Sequence, residues 1–428
     1  MSGRRRFVGA WQERRLGEVA KMASGGTPLT SVGAYYDGGI PWVSITDMTS
    51  SGGKVITKTE RTLSRLGLNN SAARLFPAGT VLYAMYASIG ECSIAGRALC
   101  TSQAILGIQP GSSLRPAFLY YWLTQIKSRV KTLGQQGTQA NLNKDMVQDL
   151  PLPLPPLPEQ RAIAAVFSDG DKLIGSLEAL IAKKRAIKQA AMQQLLTGRT
   201  RLPGFTAEWA VLTLGDHLRF LRHGNYPRSR LSSNGTGHGG VKYIHYGDIH
   251  TSERVCLDPT VTALPTLAMD RAARLDRLSD GDLVFVDASE DLGGVGKSVE
   301  IVGVRGHQVV SGLHTIAVRF SKSALADGFK AYLQFCPRFR NHLRRLAAGT
   351  KVYATNRAHI ATAELRVPPL PEQRAIAAVL ADMDAEIAAL ERRIDKTRAV
   401  RQGMMHQLLS GSIRLPIPEA AAEDESIR

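Results

Sequence analysis

Several features are scarce in this chain of 428 residues, and each absence excludes a class of protein. There are four cysteines, Cys92, Cys100, Cys256 and Cys336, and no two of them form a Cys-x-x-Cys pair. Their spacing indicates neither a zinc site nor a disulfide framework, and it favours a reducing, cytoplasmic environment. No uninterrupted apolar run approaches about 18 residues, so no membrane span is predicted. The charged Met1–Phe7 segment has no apolar run behind it, so no signal peptide is expected.

Motifs for catalysis are equally scarce. The chain has no Asn- or Asp-Pro-Pro-aromatic motif, with which an N6-adenine methyltransferase would grip a flipped base. Its ten histidines show no His-x3-His spacing, so no metal site is predicted. The run Asp291–Ser298 resembles a phosphate-binding Gly-x4-Gly-Lys-Ser loop, but an aspartate replaces the first glycine and would repel phosphate. We expect no catalytic residues and no cofactor in this chain; a nucleotide-binding enzyme that uses the Gly293–Ser298 loop is the alternative.

What the sequence does contain is an internal repeat. The string Leu-Pro-Glu-Gln-Arg-Ala-Ile-Ala-Ala-Val occurs at Leu157–Val166 and again at Leu370–Val379. The match continues at an offset of 213, and 28 of the 47 positions from 157 to 203 equal their partners. Each copy follows a proline-rich segment and reaches a glycine, Gly198 or Gly411, where a helix is expected to end. Such a repeat predicts a chain built from two similar units.

Apolar residues recur at heptad spacing in both copies, which predicts two long helices that pair as a coiled coil. At 1.5 Å per residue, a helix of about 40 residues is about 60 Å long. Because a long connection separates the copies, an antiparallel pair is the natural geometry; two separate helices, each attached to its own domain, are the alternative. The predicted helix-pairing residues are Phe167, Ile174, Leu177, Ile181 and Leu195 in the first copy, and Leu380, Met383, Ile387, Leu390, Ile394 and Leu408 in the second.

The two segments that precede the copies are dissimilar and basic. Residues 1–157 carry 17 Lys or Arg against 8 Asp or Glu, and residues 204–370 carry 21 against 15, within a formal net charge of +17. The segments share a faint pattern, since Trp11 and Leu16-Gly17 are echoed by Trp209 and Leu214-Gly215. A basic excess of this kind suits a polyanion such as DNA, because each neutralised phosphate releases counterions. A merely basic surface is the alternative.

These patterns predict a mixed α/β fold of two domains joined by two long helices that pack as an antiparallel coiled coil. The predicted boundaries are 1–155 for the first domain, 156–202 for the central repeat helix, 203–367 for the second domain, 368–416 for the second repeat helix, and 417–428 for an acidic tail that is expected to be disordered.

In this arrangement the chain resembles the specificity subunit of Type I restriction–modification systems. Two variable segments, each followed by Pro-Leu-Pro-Glu-Gln-Arg, a long helix and Gln-Leu-Leu-x-Gly, cover essentially the whole chain. The resemblance implies that each segment is a target recognition domain for one half of a split DNA site, asymmetric because the segments differ. It also implies that the helices set the distance between the half-sites and bind methyltransferase subunits, and that this subunit has no catalytic centre.

The resemblance further implies which partners and cofactors to expect. The partners are double-stranded DNA, methyltransferase subunits and restriction or translocase subunits, with no membrane, in the cytoplasm. S-adenosylmethionine, ATP and Mg2+ are expected in the partner subunits and not in this chain. A specificity protein of a related methylation-based defence system that lacks the motor subunit is the alternative within the same class.

Residues that contact DNA are predicted from side-chain chemistry, since base edges attract Arg, Lys, Asn, Gln and Ser or Thr, and phosphates attract any exposed cation. The candidates in the first segment are Lys54, Lys58, Arg61, Tyr86, Ser88, Gln136, Thr138, Gln139 and Asn141. Those in the second are Arg222, His223, Tyr226, Arg228, Arg230, His245, Lys297, Lys351, Tyr353, Asn356 and Arg357.

Overall fold

The computed structural model describes residues 10–50, 54–134, 141–232, 240–347 and 352–416. The chain forms two compact units, Met1–Glu178 with Arg392–Arg428, and Ala179–Glu391. Each unit therefore contains one of the dissimilar segments, the first half of the long helix that follows it, and the second half of the other long helix. The predicted acidic tail at 417–428 lies outside the described residues.

The first segment folds into short strands and helices that lead into the first long helix. Its strands are β1 (Gln12–Arg15), β2 (Ala20–Ser24), β3 (Tyr36–Val43), β4 (Val55–Ile56), β5 (Arg61–Leu63), β6 (Val81–Ala84), β7 (Cys92–Ala95), β8 (Cys100–Thr101), β9 (Ile105–Pro110) and β10 (Pro151–Leu154). Its helices are α1 (Leu16–Val19), α2 (Ile45–Ser50), α3 (Arg65–Asn69), α4 (Pro116–Gln125), α5 (Lys127–Gly134) and α6 (Lys144–Gln148), and the long helix is α7 (Leu157–Leu195).

The second segment likewise folds into short strands and helices that lead into a long helix. Its strands are β11 (Ala210–Thr213), β12 (Leu218–Phe220), β13 (Val241–Ile244), β14 (Cys256–Leu257), β15 (Thr266–Leu267), β16 (Leu283–Val286), β17 (Ala288–Ser289), β18 (Ser298–Ile301), β19 (Val309–Ser311), β20 (Thr315–Phe320), β21 (Tyr353–Ala354) and β22 (Glu364–Val367). Its helices are α8 (Tyr246–His250), α9 (Met269–Ala272), α10 (Pro337–Leu346) and α11 (Arg357–Ala361), a 3-10 segment spans Lys330–Phe335, and the second long helix is α12 (Leu370–Leu409).

The two domains have one strand topology. A five-stranded sheet runs β2-β9-β6-β7-β4 in the first and β12-β20-β16-β18-β14 in the second. In both sheets the last strand is parallel to its neighbour and the other pairs are antiparallel. Each domain also has a three-stranded sheet, β5-β3-β8 or β15-β13-β19, and a two-stranded ribbon, β1-β10 or β11-β22. The second domain has one further antiparallel pair, β17-β21. The faint pattern in the sequence thus corresponds to a duplicated backbone, and the predicted α/β fold class is confirmed.

Each domain core includes parts of both long helices. In the first unit, Phe118 of α4 packs in one cluster with Phe167 of α7 and Leu408 of α12. In the second unit, Leu195 of α7 and Leu380 of α12 lie in the main core cluster. These four side chains from the long helices, which were predicted to pair the helices, are therefore also core residues of the domains. A heptad pattern indicates which face of a helix is buried, but it does not show whether a partner helix or a domain covers that face.

Ion pairs show that the long helices run antiparallel within each unit. In the first unit, Arg401 of α12 pairs with Asp171 of α7, while Arg398, earlier on α12, pairs with Glu178, later on α7. In the second unit, Glu386 pairs with Lys184, and Asp384, earlier on α12, pairs with Lys188, later on α7. Later positions on one helix pair with earlier positions on the other, which confirms the predicted antiparallel arrangement.

The middle of each helix is buried where the heptad pattern expects it. Leu177 and Ile181 of α7 and Ile387 and Ile394 of α12 are at most 9% exposed. The remaining predicted pairing residues, Ile174, Met383 and Leu390, are half-buried. Across the described residues, no helix combines the length and the apolar character that a membrane span requires.

Candidate nucleic-acid interface and helix junctions

The repeated Pro-Glu-Gln-Arg motif forms a junction between each domain and the long helices. Glu159, at the start of α7, is 1% exposed and accepts hydrogen bonds from Trp11 Nε1 at 3.0 Å and Arg414 Nη2 at 2.6 Å. Glu372, at the start of α12, is equally buried and accepts from Trp209 Nε1 at 3.2 Å and Arg201 Nη2 at 2.6 Å. In both junctions the arginine follows the end of the other long helix. One carboxylate therefore connects the start of its own helix, the tryptophan at the start of the domain and the segment that follows the other helix.

The glutamine of the motif makes a second, equally repeated connection. Gln160 accepts a hydrogen bond from the Arg115 backbone N–H at 2.8 Å and donates to the carbonyls of Ser113 and Pro155 at 2.9 and 2.8 Å. Gln373 makes the matching three bonds to Ala326, Ala324 and Pro368. The exact repetition of two polar residues was the signal that they are buried and hydrogen-bonded.

The glycines after the long helices complete these junctions. Gly198 and Gly411 have φ of +69° and +73°, a left-handed conformation that favours glycine. A Cβ at Gly411 would lie 3.0 Å from the Trp11 ring, and one at Gly198 would lie 3.3 Å from Trp209. The helices themselves end at Leu195 and Leu409, slightly earlier than predicted. The glycines therefore turn the chain after the helix and leave room for the tryptophan.

A partly buried polar cluster joins each domain to the paired helices. Tyr121 of α4 donates to Asp171 at 2.7 Å, and the Arg401 guanidinium pairs with the same carboxylate at 2.6 Å. In the second unit, Tyr332 donates to Asp384 at 2.9 Å, and Lys188 pairs with that aspartate. Asp171 and Lys188 lie 213 positions before Asp384 and Arg401, so the cluster is part of the repeat. Burial and the aspartate together raise the pKa of Tyr121, which keeps its hydroxyl protonated as a donor.

Lys54 belongs to this cluster and not to an exposed surface. Its ammonium lies 4.1 Å from the centroid of the Tyr121 ring and 5.2 Å from that of Tyr120. Burial lowers the pKa of Lys54, with Asp171 opposing that shift. The prediction that Lys54 contacts DNA is not supported by this placement, because the ammonium is engaged with aromatic rings beside the helices.

In the second domain, one predicted residue, His245, has a structural role at the start of α8. Its Nδ1 accepts from the Gly247 backbone N–H at 3.4 Å, while its own backbone N–H donates to Asp248 at 2.8 Å. Ser44 and Asp47 cap α2 of the first domain by the equivalent backbone contact, also at 2.8 Å. Burial lowers the pKa of His245, which favours the neutral ring that the cap requires.

Beside this cap lies a cluster of aromatic rings. The Tyr246 ring is 37% exposed and lies 4.4 Å from His245, 6.0 Å from His250 and 5.5 Å from His314, measured between ring centroids. His314 has φ of +57° and contacts Asp287 at 3.2 Å. All ten histidines of the chain follow residue 216, so the first domain has no counterpart of this cluster. The sequence contains no signal for Tyr246 and His250, because residues 245, 287 and 314 converge only in the folded domain.

The glycine-rich loop before β18 does not have the geometry of a phosphate-binding loop. Such a loop joins a strand to a helix, whereas Asp291–Lys297 joins β17 to strand β18. Asp291 Oδ1 accepts from the Gly294 backbone N–H at 2.7 Å and closes the turn. The Lys297 ammonium donates to the His250 carbonyl at 2.6 Å, and burial lowers its pKa. Lys297 therefore fixes the loop to α8, and the alternative of a nucleotide site at Gly293–Ser298 is not supported.

Other predicted residues of the second domain make contacts within it. Arg222 pairs with Asp276 at 3.2 Å, and Arg228 pairs with Asp248 at 3.0 Å. The Arg357 guanidinium lies 5.5 Å from the Phe220 ring centroid. Asn356 caps α11 by accepting a hydrogen bond from the His359 backbone N–H, and Tyr226 packs against Tyr243. The Nδ1 atom of His223 is buried, and Tyr353 is half-buried in β21. Arg230 is exposed.

The predicted residues of the first domain are more scattered. Lys58 and Tyr86 are exposed, and Ser88 lies in the turn after β6. The Arg61 guanidinium lies over the Tyr36 ring, 4.1 Å from its centroid. Asn141 lies just before α6, and its side chain or backbone contacts another residue of this chain. Gln136, Thr138, Gln139 and Lys351 lie outside the described residues, and the described part of the chain shows no cluster of three or more metal-binding side chains.

Comparison with known proteins identifies one consistent resemblance. The family model described as Type I restriction modification DNA specificity domain matches residues 9–186. The chain is similar to the Type I restriction enzyme MjaIX specificity subunit of Methanocaldococcus jannaschii, with 30% identity over 166 residues, which is 38% of this chain and 38% of that protein. It is similar to the MjaVIII specificity subunit of the same organism, with 23% identity over 95% of this chain and 93% of the relative.

A solved structure shows the same fold. The S subunit of a Type I restriction–modification system from M. genitalium superposes with a TM-score of 0.56 and 14% sequence identity, covering 93% of this chain and 96% of that one. At this identity the likeness concerns the fold, and it extends to both domains and both long helices.

Proposed function

We propose that the chain is the specificity subunit of a Type I restriction–modification system and that it reads the DNA sequence for such a complex, since its relatives and its matching family model are of this kind. The proposal is supported by the pair of domains, which have one order of strands in their main sheets but dissimilar sequences. Ser44 caps α2 where His245 caps α8, for example, and the first domain has no histidine. Two readers of common design and unlike side chains suit a target of two unlike half-sites.

In the second domain, we assign base reading to the surface around Tyr246. Its exposed ring, with His250 and His314 beside it, offers apolar contact and hydrogen-bonding nitrogens to base edges. Arg228 is 58% exposed while paired with Asp248, so it can reach phosphate without losing its position. In the first domain, exposed Tyr86 and Lys58 are the best-placed of the predicted residues.

The long helices offer a surface for partner subunits. Leu173, Leu180 and Ile187 of α7 follow one another at intervals of seven residues and are 41%, 38% and 45% exposed. Apolar side chains at this spacing form a stripe along one face of a helix, which suits another helix as partner. We propose that a helix of the methyltransferase subunit docks there, beside the seam that the paired helices bury.

The chemistry of the complex belongs to its partners in this proposal. The methyltransferase subunits bind S-adenosylmethionine, the restriction or translocase subunits bind ATP and Mg2+, and this chain contributes no catalytic residue. The assembled complex acts on double-stranded DNA in the cytoplasm.

Co-expression with an adenine methyltransferase encoded beside this chain tests the proposal. We expect a stable complex that binds its methylated duplex more tightly than an unrelated duplex. The variant Leu180→Glu/Ile187→Glu should lose the methyltransferase, whereas Lys183→Glu, an exposed charge reversal on the same helix, should retain it. A wild-type chain that fails to co-purify, or a complex without DNA preference, would refute the assignment.

A further inference from the structure

One helix of the second domain has an unusual charge. Helix α10 carries Arg338, Arg340, Arg344 and Arg345 within ten residues. The surrounding stretch from Gly328 to Ala363 contains no Asp or Glu, although it contains seven Lys or Arg. Like charges at helical spacing repel one another, so such a cluster costs stability unless counter-charges are supplied.

The arginines of α10 differ in whether the domain supplies those counter-charges. Arg338 pairs with Glu364 at 3.0 Å. Within the described part of the chain, Arg340, Arg344 and Arg345 form no ion pair with a carboxylate; Arg344 donates only to the carbonyl of Leu292, at 3.2 Å. Burial and the neighbouring Arg344 together lower the pKa of Arg340, which is the direction expected for a cation without an anion. Among the residues that the structure describes, three guanidinium groups on one helix thus have no carboxylate partner.

Two of these arginines, Arg340 and Arg344, line a groove with residues at the end of the first long helix. Its volume is about 230 Å3, and Asn341, Thr197 and Arg199 also line it. Arg345 lines a second groove that shares Asn341 and Arg344 with the first. The guanidinium groups and the Asn341 amide can donate hydrogen bonds to anionic oxygen, whereas the Thr197 hydroxyl already donates to the Gln193 carbonyl at 2.6 Å. A groove of donors without acidic residues fits phosphate oxygens in chemistry.

The position of α10 indicates which phosphates the groove would bind, namely those of DNA at the second domain. Its last residue, Leu346, is followed by the segment that leads to Tyr353 and Asn356, where DNA contacts were predicted. Through Arg344 and Leu292, the helix also contacts the glycine-rich loop, whose other end is fixed to His250 by Lys297. Two hydrogen bonds thus link α10, through the glycine-rich loop, to His250, whose ring lies 6.0 Å from that of Tyr246 in the group that we assign to base reading.

We propose that Arg340, Arg344 and Arg345 of α10 bind the phosphate backbone of duplex DNA next to the half-site that the second domain reads. This inference rests on the proposed function and deepens it. The contacts supply affinity that does not depend on sequence, and they leave the choice of bases to the surface around Tyr246. An acidic protein surface is the competing occupant, and the experiment separates the two.

The test uses the complex of this chain with its methyltransferase, a fluorescent duplex that contains the methylated motif, and a scrambled duplex. Affinity is measured by anisotropy over a range of KCl concentrations. For Arg340→Gln/Arg344→Gln/Arg345→Gln, we expect the slope of log K against log salt to become shallower by about 2 to 3, since each phosphate contact contributes roughly 0.9. Affinity should fall for both duplexes, and the methylated motif should not change.

Arg338→Gln is the matched control, because Glu364 already neutralises that arginine on the same helix. It should leave the salt slope close to that of the wild type. The single variant Arg345→Gln alters an exposed side chain and should lower the slope by about 1, which keeps the test valid if the triple variant misfolds.

Each result has one meaning. An unchanged slope in the folded triple variant overturns the inference, and so does loss of the methyltransferase from the triple variant, which would assign the face to a protein partner. If the wild-type complex shows no preference for its own motif, the proposed function fails instead, whatever the variants do.

Discussion

The hydroxyl of Tyr121 donates a 2.7 Å hydrogen bond to the carboxylate of Asp171, and this bond connects the first domain to the long helix that follows it. The same carboxylate pairs with Arg401 of the other long helix. A polar group at a helix seam satisfies its hydrogen bonds in one alignment only, so it specifies register as well as contributing stability.

Replacing that carboxylate should therefore be costly. We expect Asp171→Asn to lower the free energy of unfolding by about 2 kcal/mol, because Arg401 and Tyr121 lose a charged acceptor. Urea denaturation followed by circular dichroism measures the change. Glu178→Gln is the control, since Glu178 and Arg398 are both about half exposed, and it should cost less than about 0.5 kcal/mol. If the two substitutions lower the free energy of unfolding equally, the cluster around Asp171 contributes no more than an exposed ion pair.

The buried seam should respond to loss of apolar volume. Leu177 is 5% exposed, and Leu177→Ala should lower the free energy of unfolding by about 3 kcal/mol, through lost burial and the cavity left behind. Leu180→Ala, three residues away and 38% exposed, should change it by less than about 1 kcal/mol. The prediction is wrong if the exposed leucine matters as much as the buried one.

Glycines in α7 and after α12 should respond to alanine in opposite directions. Gly411→Ala places a Cβ at positive φ and 3.0 Å from the Trp11 ring, so it should destabilise the protein by more than about 1 kcal/mol. Gly175→Ala, inside α7 with nothing within 4 Å of the new Cβ, should stabilise it by about 0.5 to 1 kcal/mol. Thermal unfolding of the two variants against wild type distinguishes the signs.

Acid should weaken the cap of α8. Burial lowers the pKa of His245, an effect that Asp248 opposes and that Arg228 and His314 reinforce. The unfolded chain then binds a proton more readily than the folded one, so stability is full above about pH 6.5 and falls as the pH drops below it. His245→Asn keeps an acceptor for the Gly247 backbone N–H without a titrating ring.

The measurement is the midpoint of thermal unfolding at pH 7.5 and pH 5.5. The drop between these values should be smaller in His245→Asn than in wild type. If the two proteins lose the same amount, protonation of His245 does not contribute to the acid sensitivity of this domain.

How much could be inferred from the sequence differs between elements. The long helices were predictable because 28 matching positions repeat at one offset and their apolar residues follow a heptad. The short strands were predictable only as a class, since strands such as β4 and β14 have two residues and carry no periodic pattern. The identical order of the two five-stranded sheets depends on pairings between distant residues, and only the three-dimensional structure shows them.

The candidate site was harder to predict than the fold, for physical reasons. Lys54 looked like a phosphate contact because it is a cation in a basic segment, but it lies over Tyr121. Lys297 was predicted as a DNA contact in a glycine-rich loop, but its ammonium donates a hydrogen bond to the His250 carbonyl. Whether a cation faces solvent depends on which distant groups fold against it, and residue type alone does not contain that information.

We propose that two unlike domains on one backbone design read two halves of one DNA target. The decisive measurement is a methylation map of the source genome, compared between strains with this chain intact and deleted. We expect a split, asymmetric motif, with two half-sites separated by unspecified bases, that is methylated only when the chain is intact. A continuous palindrome dependent on this chain, or methylation that persists unchanged after its deletion, would show that the two domains do not read a split target.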